Sequence, residues 1–95
     1  MKQILIEKYI KPSDVTISGD YVAERWLNKN YYLHSFLGQP AYIWYKNGKI
    51  LKKEWRKKGE LHRDRNLPSY ICYYKNLTTS EHWFKNGKET KKIWR

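Results

Sequence analysis

The 95 residues carry 20 lysines and arginines against nine acids, a formal charge of +11 at neutral pH, and 17% of the chain is aromatic, with five Trp and nine Tyr. A chain this short forms one small domain with little depth for an enzyme cleft, and its aromatic content sets it apart from disordered polyelectrolytes. It has no run of about 18 apolar residues, which excludes an apolar membrane-spanning helix, and the lone Cys72 excludes an internal disulfide or a multi-cysteine zinc site.

The start, Met1-Lys2-Gln3-Ile4-Leu5-Ile6-Glu7-Lys8, has a short apolar core and no small-residue cleavage site. It does not read as a signal peptide, so a cytoplasmic location is expected, in the host cytoplasm if the chain is phage-encoded. Residues 3–10 predict a first strand, broken by Pro12-Ser13-Asp14. Val15-Thr16-Ile17 predicts a second, followed by a turn at Ser18-Gly19-Asp20. Residues 21–27 resume strand as far as Asn28-Lys29-Asn30. Further strands are expected at 41–46, 50–56, 60–62, 69–74, 80–85 and 88–94. Asn47-Gly48 and Asn86-Gly87 supply the positive φ angles that two-residue hairpin loops need, and Lys57-Lys58-Gly59 closes another turn. No segment holds a 3.6-residue period. The expected fold is all-β: an antiparallel meander of hairpins in a single domain, with residues 1–23 as N-terminal strands and 24–95 as degenerate hairpin repeats.

That division rests on a period of 28 residues, by which Leu33-His34 recurs as Leu61-His62, Pro40-Ala41-Tyr42-Ile43 as Pro68-Ser69-Tyr70-Ile71, Tyr45 as Tyr73, and Trp55 as Trp83. Such a unit cannot bury its apolar face alone, so stacked neighbours supply the core. Repetition also assigns His34 and His62 to scaffold, with imidazoles bonded to loop backbone, rather than to metal binding or general base catalysis. Strand parity puts Ala41, Ile43 and Tyr45 on one face with Ser69, Ile71 and Tyr73. With Trp55 and Trp83, that set is the expected buried face. Cys72, in the slot of Trp44, reads as a small, partly buried hydrophobe. His62-Arg63-Asp64 has the letters of a kinase catalytic loop, but the rest of a kinase is missing. Arg63 and Arg65 flank Asp64 in one loop, where local pairing is the alternative to a role in contact. Asn76-Leu77-Thr78 fits a glycosylation sequon, taken as coincidence in a chain that is not secreted.

Trp55-Arg56-Lys57-Lys58-Gly59-Glu60-Leu61-His62-Arg63-Asp64, followed by Leu67-Pro68-Ser69-Tyr70-Ile71, resembles the W-x-x-x-G-K-L-H-R-x-x-G-P-A-x-I pattern of MORN-variant (YwqK-like) repeat proteins of bacteria, phages and large DNA viruses. The resemblance covers residues 24–95. The first copy departs from the pattern with Asn28-Lys29-Asn30 and Ser35, and the third ends at Glu89-Thr90-Lys91. The resemblance implies hairpin arrays that serve as binding or antitoxin-like modules; it supplies neither a substrate nor catalytic residues, and no cofactor is expected.

The excess charge lies in these repeats. Residues 1–23 sum to zero, whereas 24–53 hold six basic residues against one acidic, 54–80 six against three, and 81–95 five against two. A field of this sign favours an anionic partner. Tyr42, Trp44, Tyr70 and Tyr74 interleave with Lys46, Lys52, Lys75, Arg63 and Arg65, and the unmatched Trp94 joins them as a candidate contact residue. The expected function is non-enzymatic: binding and inhibiting an acidic, nucleic-acid-handling protein in a phage anti-defence or toxin–antitoxin setting. The alternative is a direct nucleic-acid binder that stacks bases on the aromatics and holds phosphates with the cations. The sequence sets no oligomeric state.

Overall fold

The computed structural model describes residues 11–75 and 78–95. The strand expected at 3–10, and Asn76-Leu77 of the sequon, lie outside the described residues. The rest is all-β. Strands β1 (Asp14–Ser18), β2 (Tyr21–Arg25), β3 (Tyr42–Lys46), β4 (Lys49–Glu54), β7 (Tyr70–Tyr73), β8 (Thr79–Lys85) and β9 (Lys88–Trp94) form one sheet in that spatial order. Every neighbouring pair is antiparallel. Between β4 and β7, the two-residue strands β5 (Arg56–Lys57) and β6 (Glu60–Leu61) make a separate ribbon. No helix in the described residues is long and apolar enough to cross a membrane.

The hairpin turns follow from residue type. Asn47 and Gly48 have φ of 52° and 78°, and Asn86 and Gly87 have 51° and 84°. Positive φ at both central residues gives a turn twist that matches the strands. Two bulges were not legible in the sequence. The register jumps between Trp44 and Tyr45, leaving Leu51 as an extra residue in β4, and between Trp83 and Phe84, leaving Thr90 as one in β9.

Trp26, Trp55 and Trp83 are buried, each between 6% and 8% exposed, and Ala41 and Ser69 are fully buried. Pairing sets these five in one row across the sheet: Trp26 N–H donates to Ala41 O (2.8 Å), Trp55 N–H to Ser69 O (2.7 Å), and Phe84 N–H to Ser69 Oγ (2.9 Å). Indoles alternating with small side chains fill the row without crowding, and each buried indole contributes on the order of 3 kcal/mol or more. The expected buried face therefore needs correction. Its Ala41, Ser69, Trp55 and Trp83 are buried, but Ile43, Tyr45, Ile71 and Tyr73 are only half-buried, as are Tyr42, Trp44, Tyr70 and Cys72 on the other face. Sequence parity separates two faces but does not decide which one another layer covers, and in the described residues neither is sealed.

One set of hydrogen bonds occurs twice at a 28-residue offset. Lys58 N–H donates to His34 Nδ1 and Asn86 N–H to His62 Nδ1, both at 3.1 Å. Gly59 N–H donates to Leu33 O (2.8 Å) and Gly87 N–H to Leu61 O (2.9 Å). The indole N–H of Trp55 donates to Gly38 O and that of Trp83 to Asn66 O, both at 2.9 Å. Each turn is thus tied to the preceding loop. These ties also end β4 at Glu54, since His62 N–H donates to Trp55 O (3.0 Å) and draws the chain into the β5–β6 ribbon.

Candidate functional site

The ten sequence candidates separate into two places. Tyr42, Trp44 and Lys46 of β3, Lys52 of β4, Tyr70 of β7 and Trp94 of β9 share one sheet face by register, and Tyr74, just past β7, joins them by stacking on Trp94. Lys75 is exposed beside this face at the end of β7. Arg63 and Arg65 lie elsewhere, in the loop that follows β6.

Lys52 is the centre of the aromatic face. Its ammonium stands 5.5 Å from the ring centre of Tyr42, 5.7 Å from that of Trp44 and 5.3 Å from that of Tyr70. Each such contact contributes about 0.5–1 kcal/mol where solvent reaches it. It also pairs with Glu54 Oε2 at 3.4 Å. Burial pulls the Lys52 ammonium down, but Glu54, with Tyr70 and Tyr42, outweighs that and leaves its pKa above the ordinary value. The buried Glu54 carboxylate is satisfied a second time by Arg56, whose Nε and Nη2 donate to Oε1 at 2.8 and 2.7 Å. Tyr21 stacks on Trp44 with ring centres 5.4 Å apart, and Tyr74 stacks on Trp94 at 5.6 Å. Sequence reasoning missed Tyr21, Arg25 and Glu54. The alternation Tyr21, Ala23, Arg25 in a strand that pairs with β3 was the available signal.

The second place is a cleft of about 560 Å³ between the 34–38 loop and the 62–67 loop, with Trp55 in its lining. Around it stand Arg56, Lys57, Arg63 and Arg65 against one carboxylate, Asp64, with Leu37 and Leu67 also in the lining. Arg63 sits over Trp55, its guanidinium carbon 3.7 Å from the ring centre, and donates from Nη1 to Pro68 O at 3.0 Å. Burial lowers its pKa from the ordinary arginine value, partly offset by Tyr73. Asp64 pairs with neither flanking arginine. It accepts from His62 Nε2 at 2.9 Å, and chiefly that hydrogen bond holds its carboxyl below the usual range. His62 Nδ1 is already taken by Asn86 N–H, which leaves Nε2 to carry the proton toward Asp64. No pocket of convergent polar groups was visible in the sequence, because its walls come from loops 28 residues apart.

The chain matches no family model, no curated protein and no solved structure. Its two surfaces therefore have to be read by their own chemistry. Trp55 belongs by parity to the face opposite Tyr42 and Lys52, so the aromatic face and the cleft are on different sides of the sheet.

Proposed function

We propose that the chain is a non-enzymatic interaction module that binds an acidic face of another protein through the Tyr42–Trp94 side of its sheet. The charge anatomy of that side carries the reading. Its central cations are paired internally, Lys52 with Glu54 and Arg25 with Asp14. Lys46, Lys49, Lys75 and Lys92 at the periphery have no ion pair among the described residues. An aromatic centre with a charged rim is the layout of a protein interface, in which rings supply affinity and rim charges steer the encounter. The resemblance to MORN-variant repeats supports an inhibitor or antitoxin-like role, in a phage anti-defence or toxin–antitoxin setting.

Affinity capture from host extract, with and without nuclease, tests this. One stoichiometric partner should be retained after nuclease treatment. Trp94→Ala, at a side chain that is 61% exposed and safe to truncate, should weaken capture about 30-fold, a hot-spot loss of about 2 kcal/mol. Capture abolished by nuclease, or untouched by Trp94→Ala, removes the reading. A second reading rests on the exposed Tyr74–Trp94 stack, with Lys92 at 5.7 Å from the Trp94 ring centre. An exposed ring beside a cation is also where a nucleobase would stack.

A further inference from the structure

We infer that the cleft between the 34–38 and 62–67 loops is a second binding site, for an acidic peptide segment that carries a bulky aliphatic side chain beside a carboxylate. Three observations lead there. First, the two walls are the same loop in two copies, and they differ in chemistry at matching positions. Ser35 and Leu37 line one wall where their counterparts Arg63 and Arg65 line the other. One wall is therefore apolar, with Leu37 65% exposed, and the other cationic.

Second, both walls are preformed. Leu37 and Gly38 have φ of 54° and 80°, and Arg65 and Asn66 have 65° and 56°. Non-glycine residues held in this left-handed region are strained, and such strain collects at binding sites. The strained turns are pinned by the indole hydrogen bonds from Trp55 to Gly38 O and from Trp83 to Asn66 O. A ligand entering the cleft has little ordering left to impose.

Third, donor capacity in the cleft exceeds local demand. Arg56 is consumed by Glu54 and by Gly59 O, to which it donates at 2.7 Å. Lys57 and Arg65, by contrast, have no ion pair among the described residues. His34 has Phe36 where His62 has Asp64, and its Nδ1 accepts from Lys58 N–H, so its neutral ring keeps the proton on Nε2 as a further donor. Such a cleft holds a carboxylate at Arg65, Lys57 and His34. An aliphatic group of the same ligand packs against Leu37, Leu67 and Trp55. A nucleic-acid strand offers phosphates but no aliphatic group for the Leu37 wall, so the peptide is the better fit.

The probe is a capped pentapeptide, Glu-Glu-Leu-Glu-Glu, titrated into the ¹⁵N-labelled full chain while the indole N–H resonances of Trp55 and Trp83 are followed. Saturable movement of the Trp55 resonance is expected. Replacing the probe's glutamates with glutamine, or its leucine with glycine, should weaken binding at least tenfold. Arg65→Asn and Leu37→Asn should do the same, since asparagine tolerates the left-handed turn, and amide spectra of the free variants that superpose on the parent away from the two loops verify that they fold. No Trp55 movement at millimolar peptide overturns the inference, as does equal binding by both variants. Displacement of the peptide by a twelve-nucleotide oligothymidylate that binds more tightly reassigns the cleft to nucleic acid and also overturns it. Trp94→Ala should leave peptide binding unchanged, because that residue lies across the sheet. A captured partner with no peptide bound then sinks only the cleft, and bound peptide with no captured partner sinks only the sheet-face reading.

Discussion

At the scale of single residues, buried polar groups set how the sheet responds to pH. The Tyr45 hydroxyl donates to Glu24 Oε1 at 2.8 Å across β2 and β3. Burial first, then that hydrogen bond and the Glu24 charge, push the phenol from near 10 up to about 12. A folded-state pKa above the unfolded one favours the protonated form. Its stabilising contribution is fully present below pH 10 and is lost as pH rises through about 12. An alkaline titration of phenolate absorbance should show a late component near 12 that Tyr45→Phe deletes. Tyr70 and Tyr73 are also raised, chiefly by burial, so the variant is needed to assign the late step. If the late component persists in Tyr45→Phe, Tyr45 is not the late-titrating phenol.

At the scale of elements, the Lys58-Gly59 turn is more constrained than the Asn47-Gly48 turn. Both glycines have positive φ, 89° at Gly59 and 78° at Gly48. A Cβ on Gly48 would meet nothing within 4 Å, whereas one on Gly59 would stand 3.3 Å from Tyr32 Cδ1. Alanine at position 48 should therefore cost about 1 kcal/mol from backbone strain alone. At 59 the contact should add roughly another 1 kcal/mol, because the turn is tied to Leu33 and has little freedom to shift. Urea midpoints of the two variants check this, and equal midpoints would show that Tyr32 simply swings away. The turns were legible in the sequence because Asn-Gly has few other uses between β-rich runs. Strands 88–94 and 80–85 were placed almost to the residue for the same reason. The break at Trp55 was not legible, since it depends on His62 N–H reaching the Trp55 carbonyl. The cleft was hidden too, although the 28-residue offset pairs Leu37 with Arg65 and so carried half of the information.

At the scale of the whole molecule, the distribution of unpaired charge decides how binding should respond to salt. Lys57 and Lys58 sit beside the β5–β6 turn, Lys85 and Lys88 flank the turn that docks on Leu61, and Lys46 and Lys49 flank the β3–β4 turn near Asp20. Meander topology sends the first two of these turns to one end of the sheet and the third to the other. These six lysines therefore fall in separate patches at opposite ends of the sheet. A protein partner seated on the aromatic centre draws on only a few rim lysines, which are screened beyond about 8–10 Å at physiological salt. Its affinity should fall less than about tenfold between 50 and 200 mM salt, with the change mainly in the association rate. A nucleic-acid ligand engaging 6–10 phosphates would instead lose roughly 10³–10⁵ over the same range. Surface plasmon resonance of the captured partner across that salt range separates the two outcomes. A steep linear fall of log affinity with log salt would mean that the patches act together on one polyanion, and the sheet-face reading would give way to nucleic acid.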